Sequence, residues 1–123
     1  MTRNRDRQDR LLTLFHITTA AEAAAAEARG WYEPEGFARE GFVHCSFKRQ
    51  VRDTAGRYYR GRQDLALLEI DPAALTCEVV VENLTGGNES FPHVYGRLPW
   101  SAVRRVYPFP CGPDGTFNLP AGV

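Results

Sequence analysis

The chain has 123 residues, is 43% apolar and 24% charged, and its 15 Lys and Arg offset 15 Asp and Glu. That length suits one domain able to bury its own core, and a net charge of zero argues against a dedicated nucleic-acid or membrane binder. Three widely spaced cysteines without a C-x-x-C pair support neither a zinc knuckle nor a thioredoxin-type motif and read as free thiols of a reducing compartment. With no long apolar run and a polar start, the expected location is the cytoplasm.

Residues 1–10 alternate charged and polar side chains and read as a flexible tail. The run Leu11 to Ile17 is apolar on both faces and predicts an interior strand ending near His16. Thr19 and Glu22 form a capping box for an alanine-rich helix over 19–29, which Gly30 ends. Trp31 to Glu40 reads as a pocket-shaping loop. Gly41 to Cys45 predicts a second strand, with Phe42, His44 and Ser46 on one side and Val43 and Cys45 on the other. That alternation makes Cys45 a core thiol and sends His44 and Ser46 towards a cleft.

Ser46 is expected to cap a helix over 47–60, whose buried stripe is Phe47, Val51, Thr54, Ala55 and Tyr58. Leu65 to Ile70 predicts a third strand, and Pro72 opens a single helical turn. Cys77 to Glu82 predicts a fourth strand with Glu78, Val80 and Glu82 on one face. Thr85 to Asn88 reads as a flexible loop, Phe91 to Gly96 as a compact aromatic segment, and Ala102 to Tyr107 as a last strand. The remainder, 109–123, reads as an irregular surface tail, leaving a single domain over 11–108. Strand, helix, strand, helix and then mostly strands predict an α+β fold with a curved or split, antiparallel-rich sheet and two main helices.

All three histidines fall where elements end, which suits polar work in a cleft. The amides and helix end at Ser46, beside His44, would favour an anion such as a phosphate. Glu82, at a strand end, is the candidate catalytic carboxylate. Separations of 28 and 49 residues between the histidines form no metal-ligand pattern, so no metal is expected.

Four motifs are recognisable in order: Phe15 to Thr18, Gly41 to Ser46, Leu67 to Asp71 and Phe91 to Gly96. Together, from about Leu12 to Tyr107, they resemble the bacterial and plant family known as domain of unknown function 952, grouped with the ADP-ribosyltransferase-like superfamily. The resemblance implies two small packed sheets around a cleft that holds NAD in active members. By carry-over His16 would contact the ribose, with Thr18, His44, Ser46, Tyr32 and Tyr95 as further cofactor-binding positions. His44, Glu82 and His93 would be catalytic, with Glu82 and His93 competing for the third motif. The implied activity is ADP-ribosyl transfer or hydrolysis, or transfer from an RNA 2′-phosphate. No resident cofactor is assigned, and NAD is the candidate substrate. The expected partner is a small-molecule nucleotide, with neither membrane nor nucleic acid, and the oligomeric state is left open. Two alternatives stand beside this reading: a non-enzymatic nucleotide or metabolite sensor, and a protein-interaction domain docking through Phe91 to Tyr95 with Trp100.

Overall fold

Eight short strands and three helices appear in a computed structural model that describes residues 12–123. The expected tail at 1–10 and the start of the first strand at Leu11 lie outside the described residues. In chain order the elements are β1 (Leu14–Thr19), α1 (Ala20–Arg29), β2 (Trp31–Tyr32), α2 (Phe37–Glu40), β3 (Val43–His44), α3 (Val51–Tyr58) and β4 (Leu65–Ile70). There follow β5 (Val79–Glu82), β6 (Phe91–Val94), β7 (Leu98–Pro99) and β8 (Val103–Pro108). The fold is mixed helix and strand, its sheets antiparallel and its helices few.

The strands form three sheets, ordered β1-β4-β8, β2-β7 and β3-β6-β5. A single bridge joins the first to the third: Phe15 and Ser46 exchange both backbone hydrogen bonds at 2.8 Å. β4 is central and divides the interior by strand alternation. Leu65 and Leu67 pack with Phe15, Ile17, Val51 and Ala55. Ala66, Leu68 and Ile70 pack on the other side with Leu14, Ala23, Ala26 and Val43. β1 is buried on both faces, as an apolar run without alternation predicts.

α1 starts and stops where its ends dictate. Thr19 Oγ1 accepts from the Glu22 N–H at 3.0 Å, and Gly30, at φ 93°, returns its N–H to the Ala26 carbonyl. Only Ala23 and Ala26 of this helix are buried, so small side chains set the close approach.

Several expectations fail for physical reasons. The segment 31–40 is not a plain loop, because Trp31 and Tyr32 pair with β7 and Phe37 to Glu40 forms the short α2. Ser46 does not cap a helix. Its N–H is committed to the Phe15 carbonyl, and a 3₁₀ turn over Lys48–Gln50 leads into α3. Gln50 Oε1 instead receives the Phe47 N–H at 3.0 Å. The Ser46 and Phe47 amides, expected beside a phosphate, are therefore already used within the fold. Tyr58, expected in the buried stripe, is exposed. Phe91 to Val94 is no free docking loop but the middle strand of its sheet, with Val94 fully buried and Trp100 packed against the core.

The residues after Pro108 lack regular structure, and most stay at least partly exposed, but two of them are anchored inside. Phe109 and Phe117 are 1% and 3% exposed and pack at a tilt, 5.0 Å apart, within the β1-β4 core.

Gly96 follows β6 where the backbone passes Cys77. A Cβ there would lie 2.8 Å from Cys77 Cβ and 2.9 Å from its sulfur, so one backbone segment must move to admit it. Gly96→Ala is expected to lower stability by about 1–3 kcal/mol through overpacking. An unchanged urea midpoint would show that this approach is not tight in solution.

Candidate functional site

A cavity of about 580 Å³ opens at the seam between β1, the β3-β6-β5 sheet and α3. Its polar wall comes from one sheet face. In the register His44 lies opposite His93, and His93 opposite Val80. Alternation then places Phe42, His44 and Ser46 of one chain segment beside Phe91, His93 and Tyr95 of the next and Val80 and Glu82 of the third. The opposite face carries Val43, Cys45 and Val94 into the core. Burial pushes the Cys45 thiol pKa up, which keeps it protonated and inert.

His93 is 3% exposed yet reaches the cavity wall. Its Nδ1 lies 2.9 Å from Glu82 Oε2, and the Tyr95 hydroxyl donates to the same oxygen. Those bonds from Tyr95 and His93 hold the Glu82 carboxyl below its usual range, so it is a carboxylate. Nδ1 therefore carries the proton it donates, and in the neutral ring this leaves Nε2 with a free lone pair. Phe42 stacks on the His93 ring at 4.4 Å and fixes its plane. His44 meets that ring edge-on at 5.1 Å and donates from Nε2 to Glu40 Oε2 at 3.1 Å. Gly41, at φ 85°, turns the chain between Glu40 and His44 so that this pair can meet.

His16 is placed differently. Its Nδ1 donates to the His44 carbonyl at 2.5 Å and its Nε2 sits 2.8 Å from the Tyr32 hydroxyl. Burial lowers its pKa to about 4, so the ring is neutral and accepts at Nε2. The Tyr32 hydroxyl then donates to His16, and Thr18, 3.1 Å away, donates to the Tyr32 oxygen. Both ring nitrogens of His16 are thus satisfied by the protein, and burial raises the Tyr32 pKa. Of the positions the sequence points to, His16, Thr18, Tyr32, His44, Ser46, Glu82 and His93 all line the cavity. Tyr95 does not; it is 38% exposed and touches the site through Glu82 and the Phe42 ring.

Sequence reasoning missed Glu40 and Gln50. The i, i+4 spacing of Glu40 and His44 was the available signal. Gln50 is 1% exposed and also reaches the Ser90 carbonyl at 2.8 Å, tying the start of α3 to the strand that carries His93. No local pattern announces a partner forty residues away. Among the described residues no group of three or more His, Cys, Asp or Glu is placed to hold a metal ion, and no helix is long and apolar enough to cross a membrane.

Fold and cavity define a small α+β protein with a buried histidine–carboxylate pair on a cleft. The chain belongs to the DUF952 family of proteins of unknown function, whose family model matches residues 17–106. It is also similar to protein CC0527 from Caulobacter crescentus. The crystal structure of that protein is 32% identical, with a TM-score of 0.77 over 87% of this chain and 94% of the other. Its solution NMR structure is 32% identical, with a TM-score of 0.76 over 87% and 92%. No curated protein matches the chain.

Proposed function

We propose that the cavity binds a small organic ligand and performs acid–base chemistry on it, with His93 as the base and Glu82 as the group that orients and charges it. The observation that carries this reading is the His93 ring, buried, stacked and lining the cavity, with one nitrogen on a carboxylate and the other without a partner among the described residues. A base whose tautomer is fixed by a second group is the arrangement proton abstraction requires.

The ligand class follows from the resemblance of the four motifs to ADP-ribosyltransferase-like proteins: a nucleotide of the NAD or ADP-ribosyl type. In that reading His93 Nε2 takes the proton from an attacking hydroxyl or water as the glycosidic C–N bond breaks and nicotinamide leaves. His44, with a side chain 52% exposed, is the movable polar arm. Glu40, nearby through His44, stabilises positive charge as it develops on the ribose. His16 supports the ribose from behind through Tyr32 rather than holding it directly. That both nitrogens of His16 are occupied favours a second reading, a non-enzymatic sensor of the same ligand class.

The test is a thermal midpoint measured with and without millimolar NAD, ADP-ribose and nicotinamide. A specific ligand at one hundred times its Kd adds about 2.7 kcal/mol, an upward shift of several degrees. The shift is expected to vanish in His93→Ala while the fold persists. No shift with any nucleotide sinks the ligand class. A shift without nicotinamide release leaves the sensor.

A further inference from the structure

The cavity's charge and its unused hydrogen-bonding groups point to one kind of ligand. Six carboxylates line it (Glu22, Glu35, Glu40, Asp53, Glu82 and Glu89) against two guanidinium groups, Arg57 and Arg62. Among the described residues none of the six pairs with Arg or Lys. Arg62 is already held by both oxygens of Asp64. A narrow cleft lined by one sign of charge concentrates counter-ions of the other.

Two buried side chains supply the second, independent observation. Ser46 is 6% exposed and His93 3%, and both line the cavity. Neither the Ser46 hydroxyl nor His93 Nε2 has a hydrogen-bond partner among the described residues. No polar side-chain atom there is both enclosed and unpartnered, so these two atoms keep accessible surface, and their residues line the cavity. In the neutral ring Nε2 offers a lone pair, the single ring proton being on the Glu82 side. The Ser46 hydroxyl can accept as well. The free capacity is thus weighted towards acceptors in a negative potential, flanked by the rings of Tyr59 and Phe91.

We infer that the ligand presents a donor-rich organic cation, a protonated amine or guanidinium group, to the Ser46–His93 end of the cavity. The inference rests on the reading of this cavity as a ligand site, and is independent of the nucleotide assignment. An ammonium brings three N–H donors and a charge the carboxylates favour, and aromatic rings add a cation–π contribution. At this end a phosphate would bring acceptors and a charge that the nearby carboxylates oppose.

Three probes of one shape and different charge test it: benzylamine, benzyl alcohol and benzoate, titrated into the full chain at neutral pH. Binding is read from amide and side-chain NMR shifts at Ser46 and His93. Benzylamine is expected to bind roughly tenfold or more tightly than benzyl alcohol, as a charge-assisted bond outweighs a neutral one, and benzoate not at all. The double variant Glu40→Gln, Glu89→Gln, on exposed positions, is expected to narrow the gap between the first two probes at least severalfold. Equal binding of all three, or preference for benzoate, overturns the cation while leaving a ligand cavity. Absence of shifts at Ser46 and His93 with every probe overturns it as well. Benzylamine binding without any NAD response retains the cation and removes the nucleotide.

Discussion

Acidification from neutral pH to about 4 is expected to remove about 3 kcal/mol of folding stability through His16 alone. The folded pKa is about 4 and the ordinary value 6.5, so burial disfavours the charged ring. As pH falls through 6.5 the unfolded chain takes up a proton that the folded chain refuses. Stability therefore declines from there and the full loss is reached below about 4. The geometry explains why the folded ring resists: protonation at Nε2 would place an N–H against the Tyr32 hydroxyl, which now donates to it, and reverse the chain from Thr18. Urea unfolding at several pH values checks this. His16→Phe should be less stable at neutral pH, since the Tyr32 hydroxyl and His44 carbonyl lose a partner, but its stability should fall much less between pH 6.5 and 4. Parallel slopes for the two proteins would remove His16 as the acid-sensitive group.

Phe109→Ala should lower stability by about 3–5 kcal/mol, the cost of emptying a large aromatic site in a closed core. Phe109 lies beyond the last strand, yet its N–H donates to the Leu65 carbonyl at 2.9 Å and its ring packs at a tilt on Phe117. Further on, the N–H of Cys111 donates to the Arg62 carbonyl and that of Gly61 to Gly115. The segment is thus fastened to the turn before β4 and closes the core over Leu67 and Val51. A loss of this size is a large part of a small domain's stability. Val106→Ala, at a side chain 44% exposed, is the matched control and should cost little. Chemical denaturation of the two variants decides the point: similar midpoints would mean that the closing residues do not seal the core.

What the sequence disclosed, and what it did not, divides along physical lines. β1, α1 and β4 were legible because an uninterrupted apolar run, a capping box and a terminal glycine act locally. The division of Phe42, His44 and Ser46 from Val43 and Cys45 was legible because alternation needs only neighbours. β2 and β7 were not, since two residues carry no period. β6 was hidden by Pro92, which argues against a central strand. Here the proline lies opposite Val81 and gives its carbonyl to the Cys45 N–H at 3.0 Å, so the strand survives in the middle of its sheet. The anchoring of the irregular tail was not legible, because proline and glycine punctuate it while only two aromatics are buried. Partners separated by 16, 28 or 40 residues, as in the His16 and Gln50 networks, leave no trace in local pattern.

The interleaving of β3 and β6 has a consequence for how such a sequence can diverge. Each strand alternates a cavity residue with a core residue, so the two roles share one backbone. Substitutions on the cavity face can change what is bound while Val43 and Val94 stay buried. A single inserted or deleted residue within either strand is another matter. It would turn His44 or His93 into the apolar interior and present valines to the cleft in one step. Length within these strands is therefore constrained more tightly than composition. Changes of length belong in the exposed segment 83–90 between β5 and β6, which the fold leaves outside its core.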